Sequence, residues 1–220
     1  MRILNGTKVT EASPGWRDAI AGERVVVDLG AGDSRWVYES ARVDAASFYI
    51  AIDPDAEALA EYAFKASRKP ARGGVNNARF VVASVEQLPP ELASIADVVR
   101  VNFPWGSLLR GLIEPQPSVM AGLASLVKRD GRFEIVVAYM PEYDPNAFAG
   151  EALPALDEAG IEALKPAYAA AGLQIQETQR LTQDDALAIA STWGRRLLHT
   201  RPRPVFFIRG TRVGSPRVNL

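Results

Sequence analysis

Short apolar runs alternate with amphipathic stretches along most of this chain. Runs that end in polar or glycine-rich turns are typical of buried parallel strands, and apolar positions three and four residues apart predict helices. The pattern predicts seven core strands, at about residues 24–29, 47–52, 79–83, 96–101, 132–139, 173–181 and 204–210.

Helices are predicted in the intervals between these strands, near 34–42, 54–67, 107–128 (with a break at 115–117), 157–171 and 183–193. Ahead of the first strand, Asn5-Gly6 predicts a β-hairpin over 2–10, and Ser13-Pro14 predicts a short helix that ends at Gly22. The expected fold is α/β: a doubly wound, mostly parallel sheet of seven strands with helices on both faces and an N-terminal β-hairpin.

We expect one domain over residues 1–220, with 1–22 as an N-terminal extension and 141–155 as a linker between strands five and six. The chain has 48% hydrophobic residues, and we find neither a signal peptide nor an apolar run long enough to span a bilayer. The expected location is the cytoplasm, and the expected state is a monomer. With no Cys and one His, the composition argues against a disulfide framework, a thiolate nucleophile, a His-based triad and a metal site.

The first core strand leads into a glycine turn that is the main candidate for ligand binding. The apolar run 25–27 is followed by Asp-Leu-Gly-Ala-Gly-Asp at 28–33. Gly30 and Gly32 can adopt positive φ and admit a ligand close to the backbone, at the start of a helix whose free N–H groups face it. A dinucleotide fingerprint requires a third glycine, and Arg35 occupies that position.

Acidic residues follow three successive predicted strands, and their spacing indicates the kind of ligand. Asp28 follows the first strand, Asp53 the second and Glu86 the third. Asp53 is placed to accept hydrogen bonds from ribose hydroxyls, and the polar loop after the third strand is placed to face an adenine. Acids around a site suit a cofactor with positive charge rather than a pyrophosphate, so we predict S-adenosylmethionine.

The distribution of charge is uneven, although the net charge is only −1. Residues 62–85 and 193–220 contain no acid and hold 12 of the 25 basic residues. Such asymmetry is expected of a protein that meets a polyphosphate with one face. The alternative interpretation is that the two stretches form solvated basic surfaces without a binding partner.

Motifs spread over nearly the whole chain resemble the aminoglycoside-resistance 16S rRNA adenine-N1 methyltransferases of the KamB/NpmA type. These are the glycine turn at 28–33, Asp53, Lys-Pro-Ala-Arg-Gly-Gly at 69–74, Glu-Gln-Leu-Pro-Pro at 86–90, Pro-Trp-Gly-Ser-Leu-Leu-Arg-Gly at 104–111 and Ser-Thr-Trp-x-Arg-Arg-Leu at 191–197. The resemblance implies a class I (Rossmann-like) methyltransferase that methylates N1 of adenine 1408 in the decoding-site helix of 16S rRNA, within the assembled 30S subunit. It also implies that Trp105 and Trp193 sandwich the flipped adenine, in agreement with the need to extrude a base before modifying it.

The resemblance and the strand ends together give a candidate set of site residues. Adenine N1 has a free lone pair, so no general base is required; we place Asn102 and Ser191 beside the two tryptophans as positioning groups. The expected cofactor contacts are Asp28, Gly30, Gly32, Asp33, Asp53, Pro54, Ser84, Glu86, Gln87, Leu88, Asn102, Pro104 and Ser107. The expected RNA contacts are Lys65, Arg68, Lys69, Arg72, Arg195, Arg196, Arg201 and Arg203.

Other functions remain open at this stage. The chain could methylate another RNA or a small molecule, although a small-molecule enzyme would not need two acid-free basic stretches. It could also bind the cofactor without useful activity. An NAD-binding oxidoreductase is disfavoured by the missing third glycine and by the acids. Ser34 stands where the resemblance leads us to expect glycine, which predicts a tighter turn or lower cofactor affinity.

Overall fold

The computed structural model describes residues 1–20, 22–141, 153, 156–189, 192–201 and 203–213. Apolar runs form most of the strands, and two of the buried strands end in a polar residue, Asp53 and Asn102. The strands are β1 (Arg2–Asn5), β2 (Lys8–Glu11), β3 (Arg24–Leu29), β4 (Ser47–Asp53), β5 (Ala78–Val82), β6 (Ala96–Asn102), β7 (Val127–Ala138), β8 (Leu173–Leu181) and β9 (Val205–Arg212).

The helices fall between the strands, as the apolar periodicity predicts. They are α1 (Arg35–Val43), α2 (Ala56–Ala66), α3 (Gly106–Ile113), α4 (Pro117–Leu126), α5 (Glu158–Ala170), α6 (Gln183–Ala188) and α7 (Thr192–Thr200). Short 3-10 turns occur at Asp18–Ile20, Pro70–Arg72, Val85–Gln87 and Pro90–Leu92. Among the helices described, none has the length and apolar character needed to cross a bilayer.

All the strands join one sheet in the order β2-β1-β5-β4-β3-β6-β7-β9-β8. The predicted seven-stranded core is present from β5 to β8, and within it β9 runs antiparallel to the other six strands. The predicted strand count was wrong, because β1 pairs with β5 through Ile3 and Val81 and so adds the hairpin to the sheet. The sheet therefore has nine strands, while the α/β class with helices on both faces is confirmed.

The order of the strands fixes where a ligand can bind. The chain moves outward from β3 to β4 and β5, and then returns to the other side of β3 as β6. In open α/β sheets this reversal leaves a crevice at the carboxyl ends of the two strands. Helices α1 and α2 pack on one face of the sheet and α3, α4 and α5 on the other. Helices α6 and α7 pack on Val136 and Ala138 of β7 and cover the end of the sheet beside the crevice.

Two predicted elements differ from the structure. Over residues 13–20, where a helix was predicted, the chain makes turns and a 3-10 segment instead, because Gly15 adopts a φ of 75° that interrupts a helix. Trp16 in this segment is buried in the core. The predicted helix over 183–193 is two helices, α6 and α7, with residues 190–191 between them outside the described residues. The predicted linker at 141–155 also lies almost entirely outside them, and the division into one domain stays a prediction.

Gly122 allows α4 to pack directly on the 3-10 turn that follows β5. A Cβ at this position would overlap the backbone carbonyl oxygen of Val85 and one of its methyl groups. We expect Gly122→Ala to lower the free energy of unfolding by about 1–3 kcal/mol, because overpacking forces backbone shifts. Denaturant unfolding measures this, with Ala121→Ser at the exposed neighbouring position as the control. Equal stability of the two variants would contradict the packing argument.

Candidate active site at the carboxyl ends of β3 and β6

A cavity of about 530 Å³ opens at the point where the sheet reverses. Its floor comes from the glycine turn after β3, its sides from the ends of β4, β5 and β6, and its rim from α7. The lining residues are Asp28, Leu29, Gly30, Ala31, Gly32, Asp33, Ile52, Asp53, Pro54, Ala83, Ser84, Val85, Glu86, Asn102, Phe103, Trp105, Ser107, Leu108, Thr192, Trp193 and Arg196.

The glycine turn is held against the end of β4 by backbone hydrogen bonds. The N–H groups of Gly30 and Ala31 both donate to the carbonyl oxygen of Ile52, at 2.8 and 3.0 Å. Gly30 and Gly32 have φ values of 72° and 54°, a region that favours glycine. The N–H of Gly32 donates to Oδ2 of Asp53 at 2.8 Å, so the acid at the end of β4 helps to fix the turn after β3.

The backbone conformation of Ser34 shows why a glycine would suit this position. This residue has a φ of 58°, in the left-handed region, and it is fully buried. Its Oγ donates to the backbone carbonyl oxygen of Asp33 at 2.6 Å. A serine in this conformation carries backbone strain that a glycine would avoid. Helix α1 begins one residue later.

Asp28 is a buried carboxyl group at the floor of the cavity. Nδ2 of Asn102 donates to its Oδ1 at 3.0 Å and so joins the carboxyl ends of β3 and β6. Burial raises the pKa of Asp28 to about 7, although the positive charge of Arg100 and the bond from Asn102 both act to lower it. Arg100 lies opposite Asp28 in the sheet register, and its Nε lies 3.2 Å from Oε2 of Glu134.

Asp53 and Glu86 place further acidic groups around the same cavity. Burial raises the pKa of Asp53, while hydrogen bonds from the backbone N–H groups of Asp55 and Gly32 lower it. Glu86 lies on the 3-10 turn after β5, where its side chain is exposed at the rim. The acids at the ends of three neighbouring strands therefore line one cavity, as the spacing in the sequence predicts.

The loop after β6 leads from the buried acid to the tryptophans. Phe103 is buried and has a φ of 52°, a strained conformation for a residue with a side chain. Its ring fills the space in which a Cβ of Gly194 would lie, so the loop packs directly on α7. The rings of Trp105 and Trp193 then meet edge to face at the mouth of the cavity, with centroids 5.2 Å apart and an interplanar angle of 72°.

Most of the predicted cofactor contacts and both tryptophans line this single cavity. Three predicted cofactor contacts do not: Gln87 faces a neighbouring groove beside the hairpin, Leu88 packs on the core, and Pro104 is buried in the loop. Ser191 lies outside the described residues. Eight further lining residues were not predicted. Each is adjacent in sequence to a predicted site residue, so adjacency was the available signal: Leu29, Ala31, Ile52, Ala83, Val85, Phe103, Leu108 and Thr192.

The predicted RNA contacts occupy two separate places. Arg196 lines the cavity and Arg195 is exposed beside it on α7, whereas the four residues from 65 to 72 lie at the far end of α2. Two other arginines of the second acid-free stretch bind within the protein. Arg209 pairs with Glu134 and Glu177, and Arg212 donates to the carbonyl oxygen of Val127 and to Oγ of Ser94.

The chemistry of the lining fits S-adenosylmethionine. That cofactor carries a sulfonium and an ammonium group, a ribose with two hydroxyls, and an adenine. The cavity offers buried or half-buried carboxylates at Asp28 and Asp53, and an apolar wall at Val85 and Leu108. A carboxylate whose ionisation is suppressed by burial gains most from a bound cation, because the cation offsets the cost of its charge.

The raised pKa of Asp28 predicts how stability depends on pH. An unfolded Asp loses its proton near pH 4 and the folded Asp28 near pH 7, so ionisation of this group opposes folding as pH rises between these values. We expect this group to lower the free energy of unfolding by roughly 2–4 kcal/mol over that range. Asp28→Asn should remove the loss and be more stable than the wild type at pH 8. Denaturant unfolding at pH 5 and pH 8 measures this; equal stability of the two proteins at pH 8 would contradict it.

Comparison with known proteins identifies the family of this chain. The family model for 16S rRNA (adenine(1408)-N(1))-methyltransferases, named NpmA, matches residues 2–212. A curated protein of that name from Escherichia coli is 36% identical over 96% of this chain and 98% of its own length. One from Streptoalloteichus hindustanus is 33% identical over 92% of this chain and 94% of its own length.

Solved structures agree with these relatives. The 16S rRNA (adenine(1408)-N(1))-methyltransferase from Catenulisporales acidiphilia, in a mutant form with the cosubstrate SAM, superposes with a TM-score of 0.89 at 30% identity over the whole of both chains. The aminoglycoside resistance methyltransferase NpmB1 gives a TM-score of 0.83 at 39% identity, over 96% of this chain and 99% of its own. This chain therefore belongs to the family of 16S rRNA (adenine(1408)-N(1))-methyltransferases, which use S-adenosylmethionine as methyl donor.

Proposed function

We propose that this protein transfers a methyl group to N1 of adenine 1408 of 16S rRNA in the assembled 30S subunit, and thereby confers aminoglycoside resistance. One observation carries the proposal: a single cavity joins an acid-lined floor to a mouth formed by Trp105 and Trp193. The floor suits a cationic cofactor, and the mouth suits a planar base.

Each end of the cavity has a separate task in this proposal. S-adenosylmethionine, when bound, supplies a methyl group that is activated by the positive charge on its sulfur. Asp28 provides a buried negative charge near the cationic part of the cofactor, and Asp53 accepts hydrogen bonds from the ribose hydroxyls. Ser84 and Glu86 face the adenine of the cofactor. The exposed backbone N–H groups at the start of α3, near Ser107, complete the pocket.

The proposed reaction requires little acid–base catalysis by the protein. The lone pair of adenine N1 is free at neutral pH, so no proton has to be removed before the methyl group is transferred. Catalysis then consists of holding the base in line with the methyl group, which is a matter of position and orientation. The hydrogen bond from Asn102 to Asp28 keeps the start of the tryptophan loop fixed relative to the cofactor floor.

The tryptophan pair must separate before it can hold the adenine. Trp105 and Trp193 contact each other edge to face, which leaves no gap for a base between parallel rings. Trp193 lies on α7 and is 39% exposed. We infer that movement of α7 opens the slot and that Arg196 then contacts the phosphate beside the flipped nucleotide.

The spacing of the basic residues favours a large folded RNA as the substrate. Helix α2 begins at the carboxyl edge of the sheet, beside the cavity, and its 11 residues carry the chain about 16 Å towards the opposite edge. Lys65, Arg68, Lys69 and Arg72 follow at that far end, while Arg195, Arg196, Arg201 and Arg203 lie in or after α7. We also propose that the protein is a cytoplasmic monomer and that it needs no metal ion.

We expect Trp105→Ala and Trp193→Ala each to abolish methylation while leaving cofactor binding near the wild-type value. Each aromatic face contributes about 1–3 kcal/mol to holding a base by alanine substitution. Methyl transfer to purified 30S subunits and calorimetric binding of S-adenosylmethionine measure the two properties separately. Trp36→Phe is the control, because Trp36 packs on Tyr49 and Arg100 outside the cavity. Loss of cofactor binding in either alanine variant would instead assign that tryptophan to the cofactor pocket.

Expression in a sensitive bacterium tests the function as a whole. We expect growth on kanamycin and apramycin, together with a reverse-transcription stop at adenine 1408, because a methyl group on N1 blocks base pairing. Asp53→Ala, which removes the predicted ribose contact, should restore sensitivity. If the wild-type protein binds S-adenosylmethionine but produces neither resistance nor a stop, the substrate is a different one.

A further inference from the structure

Phe64 is an exposed aromatic side chain that the proposed reaction does not use. Two aromatic side chains stand out as exposed among the described residues: Trp193 at the cavity mouth, and Phe64, which is 52% exposed on α2. Helix α2 buries Leu59, Tyr62 and Ala63 against the sheet, and Phe64 lies on its outer side. The core of the protein therefore does not account for this ring.

Basic residues follow Phe64 along the chain. Arg68 comes two residues after the end of α2, Lys69 caps the next 3-10 turn and Arg72 ends it. The side chains of these three residues form no ion pair with any other residue in the part of the chain that the structure describes. The one acid close to Phe64 on the helix, Glu61, is paired with Lys65. Lys65 is different, since its Nζ pairs with Glu61 and lies over the Tyr62 ring.

The N-terminal hairpin extends this surface. A Cβ at Gly6, in the hairpin turn, would lie 3.4 Å from Oγ of Ser67, so the turn contacts the end of α2. Lys8, two residues further along at the start of β2, is exposed. We use the name amino-edge surface for Lys8, Phe64, Arg68, Lys69 and Arg72, which lie at the amino ends of the parallel strands, opposite the cavity.

An exposed aromatic ring beside basic side chains that form no ion pair among the described residues suits a nucleic acid with unpaired bases. Cations neutralise phosphates without reading sequence, and aromatic side chains stack on any unpaired base. An apolar protein partner would not need the cations, and a double helix would not offer a base to the ring. The combination therefore favours a folded RNA with a bulge or loop at this place.

We propose that Phe64 stacks on an unpaired rRNA base and that Lys8 contacts a neighbouring phosphate, so that the amino-edge surface forms a docking site remote from the methylated adenine. This inference rests on the proposed function, since it takes the 30S subunit as the partner. It adds two contacts, Phe64 and Lys8, that lie outside the predicted RNA-binding set.

The remote position predicts which property changes on mutation. Phe64 lies eight residues after the first residue of α2, about 12 Å along the helix from the edge of the sheet beside the cavity, so its ring is remote from the reacting atoms. Its loss should weaken binding of the 30S subunit and raise KM. The value of kcat and the affinity for S-adenosylmethionine should not change.

The experiment compares four test variants and one control variant on purified 30S subunits. Phe64→Ala and Phe64→Leu should weaken subunit binding by roughly 5- to 100-fold, because both lose the aromatic face, and Phe64→Trp should bind as the wild type. Lys8→Gln should lower affinity and reduce the slope of log affinity against log salt by about 1. Lys165→Gln on α5, on the opposite side of the sheet, is the control and should have no effect.

The outcomes distinguish a failure of this inference from a failure of the proposed function. If the wild-type protein does not methylate 30S subunits, the proposed function fails and this inference fails with it. If the wild type is active and Phe64→Ala has an unchanged KM, only the inference is overturned. It is also overturned if Phe64→Leu binds as the wild type, which would indicate an apolar protein contact. A change in the sedimentation of the free Phe64→Ala protein would indicate self-association instead.

Discussion

The hydrogen bond between Asn102 and the buried carboxyl group of Asp28 connects the two strands between which the sheet reverses. The glycine turn begins at one of these residues, and the tryptophan loop at the other. A buried carboxylate is costly, and neither Arg100 nor Asn102 offsets the whole cost, since the pKa of Asp28 is still raised to about 7. The free site therefore holds unfavourable electrostatic energy that a cationic cofactor relieves on binding.

The mouth of the cavity, where the two tryptophans lie, depends on one aromatic contact. Phe103 adopts a left-handed conformation and packs its ring against the backbone of Gly194, so this contact joins the loop after β6 to helix α7. Trp105 belongs to the loop and Trp193 to the helix. On the proposed function, separation of the two tryptophans therefore requires α7 to move around this contact.

Much of this arrangement was predictable because it depends on local patterns. The apolar runs before Asp28 and Asp53 mark buried strands, and parallel strands bring their carboxyl ends to one edge of the sheet. Contacts distant in sequence were not predictable: the pairing of Ile3 with Val81, and the ion pairs of Arg209. Nor could a pattern indicate the conformation of Phe103, or that Gly15 would interrupt the helix expected at 13–22.

The distance between the amino-edge surface and the cavity has a consequence for when the enzyme can act. If the proposed function and the inferred docking site both hold, the two regions would meet rRNA at once, at RNA elements that the assembled small subunit brings together. Nascent transcripts and partly assembled particles would then escape modification. A growing cell would always contain a fraction of young, unmethylated subunits, and the level of resistance would depend on how quickly the enzyme finds them after assembly.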